Sequence, residues 1–286
     1  MKRYNYELGL VTKLPKNAAG LIATVRGFGF GVCHLSVYNP DYLTDEARDV
    51  LLDEAKQYDV RLTAMWAGYP GRVVWDLIDG PATTGLVPLE LREERTAIIK
   101  HAADLAASLG IREVITHLGF VPEDLNDYRY KSLIPVLQDI ARHCKANGQD
   151  FCFETGQETP VTLLRTIEDV GMDNVGVNFD PANLLLYGKG NPVDAVALLG
   201  PWIRSVHAKD GRYPTDGRHI GEEKPVGKGQ VDFPALLRQL ADAGYRGAIC
   251  IESDLPDDQR AAAIELGKEE LEGWLGTEFP RKSPTS

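Results

Sequence analysis

Cysteine is scarce. Cys33, Cys144, Cys152 and Cys250 are the four in a chain of 286 residues, and no two form a CxxC pair. That excludes a disulfide framework and reads as a protein of a reducing, cytoplasmic compartment. Long apolar runs are missing too. The longest stretch without Asp, Glu, Lys or Arg is the 14 residues from Gly27 to Pro40, broken by Gly, His, Asn and Pro. A bilayer needs about 20 apolar residues, so no membrane partner is expected. The opening residues, Met1-Lys2-Arg3-Tyr4-Asn5-Tyr6-Glu7, lack the apolar segment of a secretory signal. Positive charge is in deficit, with 31 Lys and Arg against 42 Asp and Glu and a formal net charge of −11. Such a surface repels phosphate backbones and argues against a nucleic-acid partner. No GxGxxG follows a strand, and no GxxxxGK with Ser or Thr, GxSxG or HExxH occurs. Gly27-Phe28-Gly29-Phe30-Gly31 precedes an apolar run instead of following one.

What remains is an ordinary globular balance, 43% hydrophobic and 26% charged. Short apolar runs fall at residues 7–11, 31–37, 61–66, 113–118, 150–154, 175–179, 203–208 and 248–252. Several are apolar at nearly every position, as parallel strands buried on both faces require. Amphipathic stretches at 45–58, 91–109, 132–146, 160–170, 192–200, 233–243 and 256–274 alternate with them. Thr44 and Thr159-Pro160 read as helix starts, Gly110 and Gly171 as stops, and Pro135 is tolerable only in a first turn. Eight strand–helix alternations predict an α/β fold, a single (β/α)8 TIM barrel over residues 1–276 with a flexible tail at 277–286. Two connectors, residues 67–88 and 209–231, are too long for simple turns and leave strand C-termini, where barrel enzymes build active sites.

In a barrel, the polar residues that end apolar runs converge on one mouth. Glu154 ends the fifth run, Asp180 follows the sixth, His207 ends the seventh and Glu252 the eighth. Carboxylates crowded together repel, and a divalent cation relieves that. Three carboxylates and an imidazole suit Mn²⁺, Mg²⁺ or Co²⁺, with Zn²⁺ as a further option. The bland alternative, four separate caps or ion pairs, does not account for equivalent positions on four successive strands. His34 and His117 lie near the ends of the second and fourth runs, either to bind a substrate hydroxyl or to bond a backbone carbonyl. Lys209 is placed to hold a substrate oxygen or pair with Glu252, Asp210 to orient neighbours, and Trp66 to wall the pocket. His101 and His143 fall in helices and read as structural. His219, Arg212, Arg218 and Lys228 lie in the long seventh loop, where they can reach the pocket or bind a phosphate.

These residues and their local phrases carry a resemblance. Phe153-Glu154-Thr155-Gly156, Asn178-Phe179-Asp180-Pro181-Ala182-Asn183, Val206-His207-Ala208-Lys209-Asp210 and Ile251-Glu252-Ser253 are similar to the xylose-isomerase-like TIM barrels. The Gly-rich Pro225-Val226-Gly227-Lys228-Gly229-Gln230-Val231-Asp232 matches that family's segment before its seventh helix. The resemblance implies one divalent metal on Glu154, Asp180, His207 and Glu252. It implies that Glu154 and Glu252 remove and return a proton beside a substrate carbonyl, through a metal-stabilised enediolate. Family epimerases commonly carry His three residues after the sixth-strand Asp. Here it is Asn183, left as a substrate-binding candidate with His34, Trp66, His117 and Lys209. A three-zinc endonuclease site needs more histidines than the six present. The expected activity is therefore isomerisation or epimerisation of a sugar, keto-sugar or polyol, as a homodimer or homotetramer. Dehydration of a ketocyclitol or dehydroshikimate-like substrate is the alternative.

Overall fold

The computed structural model describes residues 6–276. The tail expected at 277–286 lies outside them.

Eight parallel strands close a barrel: β1 (Leu8–Lys13), β2 (Val32–Val37), β3 (Arg61–Ala67), β4 (Glu113–Thr116), β5 (Asp150–Glu154), β6 (Val175–Phe179), β7 (Ile203–Ala208) and β10 (Ile249–Ile251). β1 pairs with both β2 and β10, so no barrel edge is left open. The outer ring is built by α1 (Leu21–Gly27), α2 (Asp45–Tyr58), α3 (Gly80–Thr83), α4 (Leu89–Ser108), α5 (Tyr128–Ala146), α6 (Pro160–Val170), α7 (Pro181–Leu186), α8 (Pro192–Leu199), α9 (Phe233–Asp242) and α10 (Asp257–Gly276). Leu35, Val114, Phe151, Phe153 and Phe179 belong to the continuous main core that joins strands to helices. Each such side chain contributes about 1.5–3 kcal/mol by leaving water. Ala64, Trp66, Ile115 and Cys152 form a separate cluster, and Cys152 shares Glu154's face by the period-two rule. All four cysteines are buried free thiols, and burial pushes Cys33 up to about 12. Among the described residues no helix is long and apolar enough to cross a membrane.

The caps act as their residue types suggest. Thr44 accepts from Ala47 N, Thr159 accepts from Thr162 N, and Gly171 closes α6 in the left-handed region at φ 63°. Three expectations need correction. The helix expected from 132 begins at Tyr128, capped by Asp127, so Pro135 lies well inside α5 and leaves the Lys131 carbonyl without its helical donor. The fourth strand stops at Thr116, which puts His117 in the loop. The seventh connector is not simple loop. It folds into an antiparallel hairpin, β8 (Asp210–Arg212) with β9 (Glu222–Lys224).

Two barrel pairings slip by one residue. Opposite Cys33 and His34 of β2, strand β3 carries the extra Thr63, and opposite Val177 and Asn178 of β6, strand β7 carries the extra Arg204. A bulge re-aims the side chains that follow it on its own strand, and here those include Trp66 on β3 and His207 on β7.

Candidate metal centre

Glu154, Asp180, His207 and Glu252 each bring one donor atom to a common point, all within 4.8 Å of one another. β5 ends on Glu154. His207 stands in β7, and Glu252 directly follows β10. Asp180 follows β6 and is also the N-cap of α7, its Oδ1 accepting from Asn183 N at 2.9 Å. Thr155 fastens that turn: its hydroxyl donates to the Asp180 carbonyl at 2.7 Å and accepts from Asp180 N at 2.8 Å.

The surrounding residues orient this set. His207 turns Nδ1 towards Glu154 (3.0 Å), Glu252 (3.1 Å) and Asn178 Nδ2 (3.2 Å). Its Nε2 meets His34 Nδ1 at 3.2 Å, so the ring is held from both sides. Glu154 accepts from Trp66 Nε1 at 2.5 Å and lies 3.2 Å from His117 Nε2. Lys209 Nζ is ringed by Asp254 (2.6 Å), Glu252 (3.6 Å) and Glu223 (3.9 Å).

Electrostatics follow from this crowding. Burial opposes charge on His207, but Glu252 and Glu154 outweigh it and raise the imidazole to about 10. Burial also works against ionised Glu252, yet Lys209 and His207 hold it well below the ordinary carboxylate range. Asp180 goes the other way, pushed well up by burial despite Lys209. Burial lowers His34 and His117, which favours neutral imidazoles at both. Asp180 Oδ2 is buried with no hydrogen-bond partner. An unpaired buried carboxylate oxygen among two other carboxylates and an imidazole is an arrangement that a divalent cation satisfies, so the donor set fits one.

A cavity of about 430 Å³ opens above this cluster. Glu154 and Glu252 line it, and so do four of the five expected substrate contacts, Trp66, His117, Asn183 and Lys209. His34 does not. It is 2% exposed and packs behind His207, so it orients that ring and does not face the cavity. His219 is exposed and bonded to Asp216, and Lys228 pairs with Glu270, away from the cavity. Neither Arg212 nor Arg218 lines it, so the loop offers no phosphate site there. His143, in α5, bonds Asp104 on the outer surface.

Sequence reasoning missed Lys13 and Asp254, which pair at 2.8 Å on the cavity rim. Both had a signal. Lys13 ends β1, and Asp254 lies two residues beyond Glu252, on the same face of an extended chain. Tyr38, Gln157, Tyr187 and Glu223 also line the cavity, and Glu223 arrives only because the hairpin folds back.

A family model for the xylose isomerase-like TIM barrel matches residues 22–275. The chain belongs to that family. A xylose isomerase domain protein from Planctomyces limnophilus superposes with TM-score 0.87 at 33% identity, covering 94% of this chain and 97% of that one. A D-tagatose 3-epimerase-like protein superposes with TM-score 0.71 at 22% identity, covering 94% and 97%, and shows the shared fold. The uncharacterized protein MJ1311 of Methanocaldococcus jannaschii is 28% identical over 196 residues, which is 64% of this chain and 64% of that protein, less than two thirds of its length.

Proposed function

We propose that this barrel is a divalent-metal-dependent isomerase or epimerase of a sugar, keto-sugar or related polyol. The observation that carries this reading is the convergence of Glu154, Asp180, His207 and Glu252 on one point, with Glu154 and Glu252 lining the cavity beside it. Family membership and the fold shared with a D-tagatose 3-epimerase-like protein support it.

A divalent cation held by these four residues supplies Lewis-acid stabilisation of the charge that develops on a carbonyl oxygen as a proton leaves the neighbouring carbon. The protein's own groups do the rest. Glu252, kept ionised by Lys209 and His207, is the carboxylate that takes the proton. Glu154, fixed by Trp66 Nε1 and beside His117, faces the same space and in its protonated form gives a proton of its own to the substrate carbon, the two carboxyl groups exchanging roles in the reverse reaction. Trp66 and Trp75 give the apolar face of a sugar a wall, while Lys209 and Asn183 offer donors to its hydroxyls. Lys13 and Lys209 are both paired with Asp254, so the cavity favours an uncharged substrate.

The test is hydrogen exchange at the carbon beside the carbonyl. Protein stripped with a chelator and reloaded with Mn²⁺ is incubated in deuterated water with free ketoses, ketocyclitols and methyl 3-keto-β-D-glucoside. Metal-dependent deuterium uptake with conserved carbon skeleton and oxygen count is expected. Glu154→Gln and Glu252→Gln should each lower it by about 10²–10⁴-fold with an unchanged circular dichroism spectrum. Loss of water from a substrate would favour the dehydratase instead. Full exchange by the metal-stripped protein would overturn the reading.

A further inference from the structure

Behind the aromatic wall lies a second cavity, of about 320 Å³. Tyr38, Trp66 and Trp75 line both cavities, so the two adjoin across these three rings. Tyr38 and Trp66 stand 4.9 Å apart between centroids, and Trp66 and Trp75 stand 6.5 Å apart. The far side is built by Tyr69, Pro70 and Val73, and no residue lining the cavity carries a charge. Its wall is held in place. Tyr69 accepts from Gly85 N at 2.7 Å, and the Arg95 guanidinium lies 4.0 Å above its ring.

We propose that this cavity is a second binding subsite, which takes an uncharged ring substituent of a glycoside while the reacting ring occupies the metal cavity. This rests on the function proposed above and adds the shape of the substrate to it. Three features of the cavity carry the inference. Flat aromatic faces bind flat or C–H-lined ring faces by stacking and apolar burial. The absence of charge from the lining leaves nothing to neutralise a phosphate or carboxylate. The three shared rings make the two cavities immediate neighbours, so one molecule with two ring units can engage both. The substrate is thus a two-part neutral molecule, with hydroxyls and carbonyl towards Glu154 and Glu252 and its second ring among Tyr38, Tyr69 and Trp75.

Three probes share one reacting ring and differ in the substituent: methyl, phenyl and glucosyl 3-keto-β-D-glucosides. With Mn²⁺-loaded protein, deuterium exchange followed by nuclear magnetic resonance should give KM about tenfold lower for the phenyl or the glucosyl probe than for the methyl one, at similar kcat. Which of the two gains tells an aryl substituent from a sugar. Val73→Trp fills the far side of the cavity and should erase the gain while leaving the methyl probe unchanged. Val73→Phe does the same with less bulk should the first variant fold poorly. Calorimetric titration of Glu154→Gln with the three probes should repeat the order of affinities without turnover. Equal KM and equal affinity for all three in the unaltered cavity overturns the subsite and leaves the proposed function standing. Absence of exchange and binding with every probe and every free ketose overturns both.

Discussion

The two long connectors meet at the cavity and are organised by the same device in opposite surroundings. In residues 67–88, Asp76 Oδ1 accepts from Ile78, Asp79 and Gly80 N at 2.7–3.0 Å. In residues 209–231, Asp210 accepts from Gly211 and Val231 on Oδ1 and from Gly227 and Gly229 on Oδ2, at 2.8–3.1 Å. Asp76 lies near the surface, and its N–H donors, Gly80 first, lower its pKa. Asp210 is 1% exposed, and burial raises its pKa in spite of four donors. Hydrogen bonds of the same kind therefore leave one carboxylate comfortably ionised and the other held against a desolvation cost. The first connector has additional anchors. Arg95 of α4 donates to the Gly85 and Thr83 carbonyls, and Arg92 donates to those of Leu86 and Val87. The second is gathered around Asp210, and Gly229 shows how closely: a Cβ there would lie 2.0 Å from Asp210 Oδ1. Gly221 N, donating to the Leu186 carbonyl, and Asp254 N, donating to Glu223, tie its hairpin to the barrel. One connector brings Trp75 to the cavity and the other brings Glu223. A loop fastened from outside by two arginines supplies the aromatic wall, and a loop gathered from inside around one buried carboxylate supplies part of the charged one.

The contrast breaks most sharply at Lys209. Lys209→Met leaves Asp254, Glu252 and Glu223 facing one another without their cation. A loss of about 3–5 kcal/mol in urea unfolding is expected, and an unchanged midpoint would refute the pairing as described. Next is Asp210→Ala, which strands four N–H groups and should cost about 2–3 kcal/mol. It should also raise KM in the exchange assay, since the hairpin that carries Glu223 loosens; wild-type stability would show that Asp210 is not what holds the second loop.

Glu158 carries the same comparison to its limit. Both its oxygens are buried without a well-formed hydrogen bond, and burial raises it to about 8. Between the ordinary 4.5 and that value the folded state keeps a proton that the unfolded chain has released. Its contribution to stability is therefore present below the ordinary value and declines as pH rises through the window. Glu158→Gln should flatten that decline, seen as a smaller drop in Tm between pH 5 and pH 8.5; an identical drop in both proteins would remove Glu158 as its source. The smallest effect is expected of Asp76→Ala. With Arg92 and Arg95 still in place, its Tm should fall less than that of Asp210→Ala. A fall as large would make the two loops equivalent and end the contrast.

Much of the site could be read in advance because it obeys a positional rule. Glu154 ends β5, His207 is the last residue but one of β7, and Asp180 and Glu252 directly follow β6 and β10, so apolar runs were enough to find them. Trp66, Lys209 and His117 yielded to the same rule, whereas Asn183, inside α7, came from the family resemblance. The failures have physical causes too. Residues 128–131, Tyr-Arg-Tyr-Lys, show no apolar periodicity, and α5 starts there because Asp127 caps it. α7 has six residues, too few to display a helical period. The β8 and β9 segments, Asp-Gly-Arg and Glu-Glu-Lys, lack the alternation that announces a hairpin. His34 looked like the other strand-end residues, yet it is the third residue of β2, short of the strand end at Val37, and the bond to His207 holds it behind the site.

The amino-acid order by itself determined the barrel and the four candidate ligands, because burial on both faces demands apolar strands and leaves polar residues only at their ends. The tertiary structure alone decided which neighbours surround those ligands. Lys209 is held by carboxylates from β9 and the β10 end, Glu154 by an indole from β3, and a second cavity opens where two loops and β3 place three rings together. Such contacts join residues up to 88 positions apart, so only the closing of the barrel brings them within reach.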